Sequence, residues 1–126
     1  METKFNFKSQ ICTSRVQSER LLSLGLKPET ADMHWTKVRK ASYPEYTWFL
    51  MPEPITKNQD WEQIPAWSLH RLLLLIPKEV NIEGYRFPAR FSAVMRMAEA
   101  DDMYEYIIGV LERVIKEGYF PKEYLV

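Results

Sequence analysis

The chain has 126 residues, of which 46% are hydrophobic and 13% aromatic, with 17 basic and 17 acidic side chains. That is the size of one domain, and such a chain buries about two thirds of its extended surface without needing staples. The aromatic content excludes disorder, the zero net charge argues against a dedicated nucleic-acid binder, and the longest apolar run, 72–76, is far below the roughly 20 residues of a membrane span.

The opening residues, Met1-Glu2-Thr3-Lys4-Phe5, lack the long apolar centre of a signal peptide. Cys12 is the only cysteine, so no internal disulfide forms, and a lone thiol fits a reducing compartment. These features predict a protein of the cytoplasm. Ser14-Arg15-Val16-Gln17 has the form of a capping box, with serine and glutamine serving each other's backbone N–H. A helix over 15–24 is predicted, with Val16, Leu21 and Leu24 on one broad side and Gly25 as its left-handed stop. Residues 27–32 then form a connector with room for one helical turn.

The segments 33–38 and 46–51 are rich in aromatic and β-branched residues, which predicts two strands. Residues 41–45 join them as an antiparallel pair, and Pro52-Glu53-Pro54 ends the second, because proline cannot donate to a ladder. The polar stretch 55–63 reads as a surface loop pinned by Trp61.

The run 64–77 is a short helix written between two prolines. Pro65 suits a first turn, and Pro77 stops the helix by keeping Ile76 out of the helical region. At about 100° per residue from Pro65, Leu69, Leu72, Leu73 and Ile76 form a core stripe. Trp67, Leu74 and Leu75 form a second apolar side, beside Arg71. Each Leu kept in water forgoes about 1.5–3 kcal/mol, so a second wet apolar side calls for a partner. Trp67, Arg71, Leu74 and Leu75 are therefore the predicted partner-binding residues, for another protein or a second copy. The alternative is a large core that wraps both sides.

Beyond Pro77, residues 78–82 alternate as a strand, Glu83-Gly84 turns, and residues 85–87 return antiparallel. Residues 90–97 fit two periods. Phe91, Ala93, Met95 and Met97 alternate as in a strand, whereas Phe91, Val94, Met95 and Ala98 have helical spacing. The strand reading is preferred. Asp101 and Asp102 fit the start of a last helix, with Met103, Tyr106, Ile107, Val110, Leu111 and Val114 on one face and Gly118 as its end. Residues 124–126 are expected to dock on the body. The whole of 1–126 reads as one α+β domain, a mainly antiparallel sheet with about three helices packed on it.

The chemistry is sparse. Cys12, His34 and His70 have no metal-site spacing, four glycines leave no phosphate-binding loop, and no cofactor is implied. Cys12 before a helix could be a low-pKa nucleophile with His34 or His70 as its base, but nothing in the sequence places them together, and a small apolar role is the simpler reading. Glu99, Asp101 and Asp102 are paired acids, and because capping explains the last two an acid–base role is the weaker reading. The competing functional reading is a small enzyme or single-strand binder built on Asp32, His34 and the region 35–43. There Lys37, Arg39 and Lys40 lie beside Trp35 and Tyr43, a pairing of charge with stacking surfaces. A nonenzymatic binding role is favoured, with no membrane and no dedicated nucleic-acid partner.

The segments 18–33 and 65–73, with 75–79, the Glu83-Gly84 turn and 102–118, resemble a family of short uncharacterised proteins encoded by phages and mobile elements of gut anaerobes. The resemblance covers most of the chain. It implies an accessory protein of a phage or integrated element, with a final helix of the kind seen at 102–118, and carries over no activity, cofactor or catalytic residue.

Overall fold

A computed structural model describes residues 9–38, 48–56 and 61–126. Among these residues the fold is α+β, with four helices and two antiparallel sheets. Helix α1 (Arg15–Ser23) starts as the capping box dictates, with Gln17 N–H donating to Ser14 Oγ at 3.1 Å and Ser14 N–H to Gln17 Oε1 at 3.0 Å. Gly25 follows it at φ +97°, a conformation that only glycine adopts without strain. A single 3-10 turn, Pro28–Thr30, occupies the connector.

The face of α1 differs from expectation. Val16 points to solvent, while Gln17, Ser18 and Leu21 are buried. The reason is polar. Ser18 Oγ lies 2.7 Å from Thr13 Oγ1, and Gln17 Nε2 donates to Glu105 Oε1 at 2.8 Å, so buried hydrogen bonds set the rotation of this helix.

Strands β1 (Met33–Val38) and β2 (Phe49–Met51) pair antiparallel, with Trp35 opposite Leu50. The expected connector 41–45 and the start of the second strand lie outside the described residues. A third strand, β3 (Trp61–Ala66), replaces the end of the expected polar loop and the expected first turn of a helix. It pairs with β1 along its whole length, from Met33 opposite Ala66 to Val38 opposite Trp61. The order is β2-β1-β3, so Pro65, opposite His34, sits on an edge strand, where a proline is tolerated.

Helix α2 (Leu69–Leu75) therefore begins four residues after Pro65, with Ser68 as its cap. Ser68 Oγ accepts from Arg71 N–H at 3.1 Å, and Asp32 accepts from both the N–H and the hydroxyl of Ser68, at 2.9 and 2.5 Å. A carboxylate at the start of a helix meets its positive end. Ile76 leaves the helix in extended conformation before Pro77, as expected.

The hairpin β4 (Val80–Ile82) and β5 (Tyr85–Phe87) turns through Glu83 at φ +51° and Gly84 at φ +86°, two successive left-handed residues that match the twist of the strands. Residues 89–97 then form helix α3 (Ala89–Met97), not the strand preferred from alternation. Helix α4 (Met103–Lys116) is capped by Asp102, whose carboxylate accepts from Glu105 N–H at 3.1 Å.

Helix α4 packs against α1, α2 and α3. Its buried residues are Tyr104, Ile107, Ile108, Leu111 and Val114, so the inner face is rotated towards Tyr104 and Ile108, and Met103 is exposed. The core gathers these with Leu21, Leu26, Trp67, Leu72, Leu75 and Ile76. The C-terminal residues dock as expected, with Lys27 N–H donating to Tyr124 O at 2.8 Å and Val126 N–H to Gly25 O at 2.7 Å.

An ion network ties α1 to α4. Arg20 reaches Glu105 at 3.0 Å and Glu112 at 2.6 Å, and Lys116 reaches Glu112 at 2.7 Å. Hydrogen bonds from Lys116 and Arg20 hold the Glu112 carboxyl at about 2, below its ordinary 4.5. A depressed folded-state pKa gives stability that is present above 4.5 and lost as pH falls from 4.5 towards 2. The stability difference between wild type and Glu112→Gln, measured by urea titration, is expected to be constant above pH 5 and to shrink through that window. A difference independent of pH down to 2 would contradict the network.

Candidate functional site

The second apolar side expected on the 65–76 helix is not a surface. Trp67 precedes α2, is 0% exposed, and donates from its indole Nε1 to Thr30 Oγ1 at 2.9 Å. Its backbone is fixed as well, by exchange with Thr13: Thr13 N–H to Trp67 O at 2.9 Å, and Trp67 N–H to Thr13 Oγ1 at 3.1 Å. Leu75 is buried in the core, and Arg71 is half-buried with Nε donating to Thr30 O at 2.6 Å. Only Leu74, 45% exposed, stays in solvent. The expected patch is corrected by β3: a strand through Ala66 leaves Trp67 outside the helix and inside the core, and the buried face of α2 is broad enough to take in Leu75 with Leu72.

Asp32 and His34 are not brought together as a reactive pair. The Asp32 carboxylate is spent on Ser68, and His34 is fully buried with Nδ1 2.7 Å from Glu53 O. Thr36, on the same face of β1, is also fully buried, and its hydroxyl has no hydrogen-bond partner. Trp35 donates to Thr13 O at 2.9 Å. Lys37 and Arg15 both lie over the Trp48 ring, at 5.7 and 5.0 Å from its centroid. Arg39, Lys40 and Tyr43 lie outside the described residues.

Cys12 is buried beside Ser68, to which its backbone is bridged. Burial and then the charge of Asp32 push its thiol up to about 11, so it stays protonated at neutral pH and is a poor nucleophile. No three His, Cys, Asp or Glu side chains among the described residues are grouped to hold a metal ion. No helix among them is long and apolar enough to cross a membrane.

The unusual surface belongs to α3. Its inward line is Ala89 and Ala93, two small buried residues that let it approach α4 closely. Its outward line is Phe91, Val94 and Met95, which are 66%, 39% and 59% exposed, followed by exposed Ala98. Small residues inside and large apolar ones outside invert the usual amphipathic arrangement. Arg90 anchors the start of this helix by donating from Nε to Ile76 O at 2.8 Å and from Nη2 to Leu74 O at 2.9 Å. The sequence carries the signal for this face in the 91, 94, 95, 98 spacing, beside the competing alternation of 91, 93, 95 and 97.

A cleft of about 370 Å³ opens between the β4–β5 hairpin, α3 and α4. Val80, Phe87, Ala93 and Val114 contribute apolar lining, and Arg96 and Arg113 contribute charge.

Comparison with protein-family models, with curated proteins and with solved structures finds no match to this chain.

Proposed function

We propose that this is a nonenzymatic binding protein that pairs with a second copy of itself through the outward face of α3. The observation that carries this reading is the wet row of Phe91, Val94 and Met95 on a helix whose fully buried residues are two alanines, with Met97 half-buried beside them. Full burial of each such side chain is worth about 1.5–3 kcal/mol, which the isolated chain forgoes. A contiguous apolar strip of this kind is the usual mark of an interface.

The charges around the strip favour a copy of this chain as the occupant. The start of α3 is basic, with exposed Arg86 before it and Arg90 in its first turn, whose bonds are to carbonyls and not to carboxylates. The end is net acidic, with exposed Glu99, Asp101 and Asp102 outweighing the exposed Arg96 of the last turn. No ion pair joins Arg86 or Glu99 to any described residue. A two-fold axis across an antiparallel pair of α3 helices sets the basic start of each against the acidic end of the other, while the uncharged strip meets itself. An accessory protein of a phage or mobile element, acting in the cytoplasm, fits this reading, because self-recognition requires no reactive group.

The test is mass in solution. Sedimentation equilibrium of the wild type is expected to approach twice the 15.0 kDa of the chain as concentration rises. Phe91→Gln with Met95→Gln is expected to stay at the monomer mass with an unchanged far-UV spectrum, since both residues are exposed and glutamine suits a helix. A wild type that remains monomeric at millimolar concentration would overturn the proposal, as would a dimer indifferent to both substitutions.

A further inference from the structure

We infer that the cleft between the β4–β5 hairpin, α3 and α4 is a binding site for a small amphipathic carboxylate, such as a medium-chain fatty acid. It uses the flank and inner side of α3, so it stands apart from the outward strip proposed for pairing. Its volume of about 370 Å³ lies at the lower end of the range of small-molecule sites, roughly 300–1,000 Å³.

Its chemistry is divided in two. The apolar part is Val80, Phe87, Ala93, Val110 and Val114, a surface suited to an alkyl chain or a ring. Ala93 matters here because a larger side chain at that position would occupy the space. The polar part is Arg96 from α3 and Arg113 from α4, with Tyr106 and Tyr119 also in the lining.

The arginines are available. Arg96 has no ion pair with any described residue. Arg113 has only Glu117, one turn on, at 3.9 Å, with both side chains largely exposed. Such a contact is worth little and yields to a better partner. Two guanidinium groups and one carboxylate leave a net charge of +1 at the mouth, enough for one anionic group. Guanidinium presents a planar fork that matches carboxylate in a bidentate pair. A nucleotide is a poorer fit, because several phosphate charges would meet only this net +1. An aliphatic amine would be repelled.

The test uses octanoate as the probe, with octanol and octylamine at equal concentration, on the full chain by two-dimensional amide NMR. Octanoate is expected to shift the amides of Ala93, Val110 and Val114 in a saturable way, with octanol weaker and octylamine absent. Arg96→Gln with Arg113→Gln, two exposed substitutions that leave the core untouched, is expected to weaken octanoate binding at least tenfold while leaving the octanol response unchanged. Equal binding of all three probes would overturn the inference, because the arginines would then select nothing. So would octanoate shifts confined to the amides of Phe91 and Met95, or no shift at all.

Discussion

Trp67→Ala is expected to lower stability by about 3–5 kcal/mol, the cost of truncating a fully buried aromatic. Among the described residues Trp67 is the largest side chain with no exposure, and it belongs to the hydrophobic core. The substitution also removes the indole donor to Thr30 Oγ1. A domain of ordinary stability holds about 5–15 kcal/mol in all, so the loss is about a fifth of that or more. Urea denaturation followed by far-UV circular dichroism measures it. Trp67→Phe separates the two contributions, since it retains most of the volume and loses the hydrogen bond. Leu74→Ala, at the exposed leucine of the same segment, is expected to stay within about 0.5 kcal/mol of wild type. If Trp67→Ala unfolds no more easily than Leu74→Ala, Trp67 is not the internal anchor described above.

Leu111→Ala is expected to cost about 2–5 kcal/mol. Leu111 is fully buried at the middle of α4, the helix that touches α1, α2 and α3 together. Three packed neighbours leave little room for the surroundings to collapse into the gap, which places the cost in the upper half of that range. Met103→Ala, on the same helix but exposed, serves as the control and is expected to change stability by about 0.5 kcal/mol or less. The pair distinguishes the observed inner face from the one read by periodicity, which included Met103. Comparable losses at both positions would restore the periodic face.

Both predictions concern places where the residue pattern and the structure part ways, and the divergences share a cause. Local chemistry was legible wherever a residue answers to its own backbone. The Ser14–Gln17 box, the Asp102 cap, the glycine at 25, the Glu83-Gly84 turn and the stop at Pro77 all appear where the sequence puts them. Each depends on a cap, a left-handed φ or a missing N–H, and each acts within four residues.

Faces and pairings were less legible. Residues 61–63, the end of the polar stretch, become strand because β1 offers β3 a full-length partner, and no local propensity reports the presence of that partner. Once 61–66 is a strand, helix α2 starts later and the predicted patch of Trp67, Arg71, Leu74 and Leu75 dissolves into core, cap and one exposed leucine. Helix α1 hides Gln17 and Ser18 and exposes Val16 because Thr13 and Glu105 supply hydrogen bonds from elsewhere in the chain. Helix α3 was within reach of the sequence, since its 3.6-residue spacing was visible beside the alternation. What decided between the two was the pair Ala89 and Ala93, small enough for a helix to seat closely on its neighbour.

The sequence by itself determined that this is an α+β protein with one thiol, no phosphate-binding loop and well-marked helix ends. Those properties follow from composition and from interactions that span a single turn. Only the tertiary structure decided which apolar residues are core and which are surface, because burial depends on partners far apart in the chain. It removed Trp67 from the surface, kept Cys12 as a protonated buried thiol, and left Phe91, Val94 and Met95 as the large apolar side chains turned outward from α3.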